Sequence, residues 1–170
     1  MKTFTLIILT AFFAANVSAQ SKFELAAKYG FKTKSISALF KLPNNGAIEG
    51  IFSMNHDKNK VVVTGLYEEF YAIGSSERLY WFLGAGLHAG YTKVITQEKF
   101  AELKYGEVLE TKTRDVVTKQ YLTGADMIAG ISYYIPRLKM VVGVDTKPSI
   151  DFLNSYSILF DGNLRIGIAL

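Results

Sequence analysis

The chain has 170 residues, 49% of them apolar or aromatic and 20% charged, with a formal net charge of +4. That is too apolar for a disordered segment and about the length of one packed domain. There is no Cys, which excludes a disulfide scaffold, thiol catalysis and Cys-ligated metal. In chain order, residues 1–19 read as a cleaved signal peptide: Lys2 supplies the positive start, residues 4–15 the apolar run, and Val17-Ser18-Ala19 the small-residue cleavage site. The run is well short of the roughly 20 residues that a spanning helix needs. The expected mature domain is therefore 20–170, and the 12 Phe, 10 Tyr and 14 Gly of the whole chain against 3 Pro favour strands over helices.

The mature chain alternates. Phe23, Leu25, Ala27, Tyr29 and Phe31 form one oily face against Glu24, Ala26, Lys28, Gly30 and Lys32, the two-residue period of a strand. Ile36, Ala38, Phe40 and Leu42 form the next, closed by the hairpin chemistry of Pro43-Asn44-Asn45-Gly46. Ile48, Gly50, Phe52 and Met54 make a third strand before the polar loop 55–60. A fourth strand covers about 61–70, where three consecutive Val leave open which face Glu68 and Glu69 take.

The fifth strand places Leu79, Trp81, Leu83, Ala85, Leu87, Ala89 and Tyr91 on one side and Tyr80, Phe82, Gly84, Gly86, His88 and Gly90 on the other. A charged insertion precedes the sixth, in which Met127, Ala129, Ile131, Tyr133 and Ile135 alternate with Asp126, Ile128, Gly130, Ser132 and Tyr134. The seventh sets Met140, Val142 and Val144 against Val141, Gly143, Asp145 and Lys147, with Pro148 expected to stop the ladder. The eighth sets Leu164, Ile166, Ile168 and Leu170 against Asn163, Arg165, Gly167 and Ala169.

Eight strands is an even number, so both termini fall on one rim with the short turns, and the longer loops, including 92–123, fall on the other. The fold class expected is all-β: an eight-stranded antiparallel up-and-down transmembrane β-barrel. A soluble lipocalin-like barrel has the same period but an oily interior. Here the large apolar groups, with Trp81, Tyr29, Phe31, Tyr91 and Tyr133 as candidate interfacial girdles, share faces. The opposite faces mix glycines with charges, which suits a narrow wet lumen better than a ligand cavity.

The blocks Asn45-Gly46-Ala47-Ile48-Glu49-Gly50, Gly65-Leu66-Tyr67-Glu68, 81–90 (Trp-Phe-Leu-Gly-Ala-Gly-Leu-His-Ala-Gly), Gly124-Ala125-Asp126 and Asp145-Thr146-Lys147-Pro148 resemble, in order, the recurring blocks of small outer-membrane β-barrel proteins of Gram-negative bacteria. The resemblance spans almost the whole mature chain and implies a fold and an outer-membrane address, with membrane lipids and the barrel-assembly machinery as partners. Thr146 and Leu170 stand where that family has aromatic residues. The first departure costs a lipid-facing anchor, and the second weakens the terminal assembly signal.

The chemistry expected is sparse. His56 reads as a solvated loop residue, and His88 has glycines rather than a nucleophile on its face, so no catalytic set is assigned and an outer-membrane lipid-modifying enzyme is the alternative from another class. Two separated His without Cys give no metal spacing, and no cofactor is implied. Segment 93–119 carries six basic and five acidic residues, a mixed sign that argues against nucleic acid. It reads as a solvated loop or, alternatively, an extracellular ligand surface, with Val108, Glu110, Lys112 and Arg114 able to extend the strands and Phe100, Leu103 and Tyr105 able to pack on the mouth.

The residues expected to form a lumen network, or the floor of a ligand site, are His88, Asp126, Asp145, Lys147, Arg165, Glu49 and Lys28, with Lys32, Lys41 and Glu24 beside them. His88 is expected near Asp126, Asp126 near Lys147, and Asp145 near Arg165, because paired charges offset one another's desolvation. The function expected is structural or surface-interacting.

Overall fold

The computed structural model describes residues 22–75, 78–104, 107–153 and 158–170, without the side chains of 95 and 97–115. The signal segment 1–19 lies outside the described residues. Eight strands, β1 (Phe23–Gly30), β2 (Thr33–Lys41), β3 (Gly46–Asn55), β4 (Lys60–Ala72), β5 (Leu79–Lys104), β6 (Glu107–Ile135), β7 (Met140–Asp151) and β8 (Ile158–Ala169), run in sequence order. Each pairs antiparallel with the next, and β8 closes on β1. The chain is thus an all-β, eight-stranded up-and-down barrel.

The alternation read in the sequence sets the two faces of the wall. Leu25, Ile36, Ile48, Phe52, Leu83, Leu87, Met127, Ile131, Leu164 and Ile166 are exposed on the outside, while Glu24, Lys28, Glu49, Asp126, Asp145 and Arg165 are buried inside. A water-soluble barrel has the opposite arrangement. On β5 the aromatic markers Trp81 and Tyr91 are ten residues apart. At about 3.3 Å per residue and a tilt of about 40°, that separates them by roughly 25 Å along the barrel axis, the height of an apolar membrane band. Trp81 stacks on Tyr71 of β4, with ring centroids 4.6 Å apart.

The open parity of β4 is resolved by its register. Val62, Thr64, Leu66 and Glu68 point inward, and Val63, Gly65 and Tyr67 outward. Leu66 joins Ile51, Phe82 and Ile128 in a small apolar cluster inside the lumen. Phe82 has room because its cross-strand partner is Gly130, where a Cβ would come within 2.6 Å of the Phe82 ring. Asn44 and Asn45 both have φ near 64°, the left-handed pair that a tight hairpin requires.

Three expectations are corrected. Pro148 does not stop the ladder: β7 continues to Asp151, and Pro148 still pairs with Phe160 of β8. Only on the β6 side does the pairing skip, passing from Asp126↔Ser149 to Ala129↔Thr146, where a residue without N–H interrupts one edge alone. The segment 92–123 is not a loop in its backbone. The β5–β6 ladder continues from Lys93↔Lys119 to Lys104↔Glu107, with one register shift between Glu102 and Leu103. β-branched residues at 94–96 and 116–118 suit that extension. The packing suggested for Phe100, Leu103 and Tyr105 and the side chains of Val108, Glu110, Lys112 and Arg114 lie outside the described residues. Finally, Lys32 and Lys41 are exposed rather than luminal, because Lys32 sits in the β1–β2 turn and Lys41 at the rim where β2 ends.

Candidate functional site: the charged lumen and its mouth

The inward faces of the strands stack charge in two layers. In the layer nearer the termini, Lys28 on β1 and Arg165 on β8 are direct cross-strand partners, and two like charges so placed repel. Glu49 reaches in from β3 and answers both: Lys28 Nζ donates to its Oε2 at 2.8 Å, and Arg165 Nη1 lies 3.7 Å from its Oε1. Arg165 also donates through Nε and Nη2 to Glu24 Oε1 at 3.1 and 2.8 Å, and its guanidinium sits 5.9 Å from the Phe82 ring centre. Lys28 Nζ is 3.3 Å from Asp145 Oδ2, and Asn163 Nδ2 donates to Asp145 Oδ1 at 2.8 Å. These bonds tie opposite walls together at residues with almost no solvent access: Glu49 is 0% and Arg165 1% exposed.

The second layer lies toward the opposite rim, where β5 and β6 extend past their neighbours. His88 faces Gly124 across the β5–β6 ladder, and a Cβ on Gly124 would stand 2.7 Å from His88 Cε1, so the glycine makes room for the imidazole. Nδ1 lies 3.1 Å from Asp126 Oδ1 and Nε2 2.7 Å from Asp151 Oδ1. Lys147 Nζ lies 3.7 Å from Asp126 Oδ2 and donates to Thr64 Oγ1 at 3.3 Å, while Lys60 Nζ lies 3.7 Å from Asp151 Oδ2. Lys60, Asp151, His88, Asp126 and Lys147 thus form one continuous polar chain. Above it opens a cavity of about 480 Å³ lined by Ser53, His56, Lys60, His88, Asp126 and Lys147 among others.

Of the seven residues singled out in the sequence, the structure brings His88, Asp126 and Lys147 together in the mouth layer and Lys28, Glu49, Asp145 and Arg165 together in the deep layer. It does not pair Asp145 with Arg165. The register sets Asp145 opposite Asn163 and Arg165 opposite Gly143, so each finds its countercharge on β1 or β3 instead. His56 is not simply solvated: its Nε2 lies 3.1 Å from the Gly30 carbonyl and its ring 5.2 Å from Tyr29.

Sequence reasoning missed Asp151, Glu68 and Asp161. Asp151 follows the same alternation as Asp145, Lys147 and Ser149, and is lost only if the strand is ended at Pro148. Asp161 accepts from the Lys32 amide at 3.2 Å and from the Thr33 hydroxyl, fixing the β1–β2 turn. Glu68 is 0% exposed, and among the described residues no donor is aimed at either of its oxygens. No group of three or more His, Asp or Glu among the described residues is arranged to hold a metal ion. With both His88 nitrogens turned to carboxylates, no hydroxyl nucleophile is hydrogen-bonded to the ring among the described residues.

The fold is similar to that of the N-terminal β-barrel domain of Pseudomonas aeruginosa OprF, at 15% identity and a TM-score of 0.63, over 85% of this chain and 93% of that one. Neisserial surface protein A is similar at 16% identity and a TM-score of 0.49, over 90% of this chain and all of that one. No protein-family profile matches the chain, and no curated protein matches it significantly.

Proposed function

We propose that the chain is an exported outer-membrane barrel, with its termini in the periplasm and the β5–β6 hairpin outside the cell, and that it works as a structural or surface-interacting protein rather than as a diffusion pore or an enzyme. The observation that carries this reading is the inversion of the wall: apolar side chains face outward and ion pairs fill the inside. Such an exterior needs lipid, and such an interior leaves no room for a channel, since an eight-stranded barrel is only wide enough for its own side chains. The orientation rests on the rule that barrels of this class keep short turns and termini on the periplasmic side. The occupied imidazole of His88 supports a non-enzymatic role, because a general base needs a free nitrogen toward its nucleophile. The cavity above it is the place for any small extracellular ligand.

Fractionation of cells, with migration of unheated and heated samples on SDS gels, tests the address. The protein is expected in the outer-membrane fraction with heat-dependent migration, and recovery in the soluble periplasm would sink the proposal. In planar bilayers the purified monomer should give no large, stable conductance step, and incubation with lipid A should neither add nor remove an acyl chain.

A further inference from the structure

Above the barrel wall β5 and β6 continue alone, and their first outward-facing pair beyond Tyr91↔Tyr121 is Lys93↔Lys119. The two ammonium groups share the exterior face with the tyrosines, and directly opposite residues on one face hold their Cβ atoms about 5 Å apart. Both lysines are exposed, and no carboxylate among the described residues forms an ion pair with either. Lys119 leans back over the Tyr91 ring, with Nζ 5.8 Å from its centre. A like-charge cross-strand pair is destabilising unless an anion stands between the two. By contrast Lys34, an outward strand lysine on this rim, has Tyr29 and Met54 as its cross-strand partners and fits an ordinary interfacial anchor.

We infer that the Lys93–Lys119 pair, set over Tyr91 and Tyr121, is a docking site for the phosphomonoester headgroup of an outer-leaflet lipid. The site rests on the membrane reading above, because tyrosines of the aromatic girdle sit at headgroup level. That height puts the ammonium groups among lipid headgroups rather than in the lumen or on a loop tip in free solution. Two adjacent cations match the double charge and several acceptor oxygens of a phosphomonoester better than the single charge of a carboxylate.

The test uses the full mature chain refolded in phosphatidylcholine bicelles doped with diphosphoryl lipid A or its dephosphorylated form. The wild type should bind the phosphorylated lipid, with affinity falling about fivefold for Lys93→Ala or Lys119→Ala and about thirtyfold for both. Lys58→Ala, an exposed turn lysine on the same rim, should leave affinity unchanged. Lys119→Glu should abolish binding while keeping or raising the unfolding temperature in phosphate-free detergent, because it converts repulsion into attraction. An unaffected double variant, an equal loss in Lys58→Ala, equal binding of dephosphorylated lipid, or displacement of the lipid by inorganic phosphate at equal concentration would each overturn the site. A chain that forms no heat-modifiable barrel in lipid overturns the membrane reading and the site together; a barrel that forms but does not discriminate overturns the site alone.

Discussion

Glu49 and Glu68 are one residue type in one lumen with opposite surroundings. Glu49 lies within reach of two cations, whereas Glu68, its neighbour, meets no donor among the described residues. Removing one partner from a buried ion pair leaves the other charge uncompensated, so Glu49→Gln should lower stability by about 2–3 kcal/mol. Glu68→Gln keeps the side chain's shape, carries no charge beside the Glu49 carboxylate and supplies an amide N–H in a lumen where Glu49 Oε1 lacks a hydrogen bond, and should raise stability by roughly 1 kcal/mol. Urea unfolding of the two variants in the same lipid checks the opposed signs; a loss in both would mean that Glu68 is held by a partner. The role of Glu49 was legible in the sequence because Ile48 and Gly50 flank it in clean alternation. Glu68 was not, because the run Val61-Val62-Val63 fits either face until the pairing of Gly65 with Gly50 fixes it.

Among the elements, the extended β5–β6 ribbon is the one whose backbone runs beyond the barrel wall. Among the described residues, the neighbouring strands reach the ribbon last through Lys93 N–H to the Asn59 carbonyl on the β5 side and Phe152 N–H to the Thr123 carbonyl on the β6 side, so its edges have no strand partner beyond those bonds, and a lone two-stranded hairpin is marginal in water. Replacing 95–117 with a tight Asn-Gly turn should therefore leave heat-modifiable folding intact and shift the unfolding free energy by less than about 1 kcal/mol, while removing whatever surface contact the ribbon makes. A large loss of stability on this deletion, read by the same urea unfolding, would show that the ribbon packs on the mouth. Its strand character stood in the sequence only as an alternative, at Val108, Glu110, Lys112 and Arg114, because mixed charges mask the alternation of 93–119, whereas the glycine face of 84–90 was plain. The early end assigned to β7 had a different cause, since Pro148 loses a donor on one edge only and β8 carries the strand past it.

For the whole molecule, the decisive question is the solvent that the outside of the wall meets, since the backbone of a closed eight-stranded barrel is the same in lipid and in water. Leu87 is 67% exposed on the outer face and lies between the Trp81 and Tyr91 levels. In a soluble barrel, Leu87→Arg would replace an exposed apolar group by a hydrated one and be neutral or favourable. In a bilayer the same change puts a guanidinium near the midplane and should cost about 2–4 kcal/mol of folding free energy. The identical substitution at Tyr121, at the girdle, should cost no more than about 1 kcal/mol, because the head reaches the interface. Unfolding of both variants in bilayer vesicles reads the difference. A depth-dependent loss means that the outer face meets hydrocarbon, and equal, small effects at both positions would mean that it meets water and that the charged lumen needs another explanation.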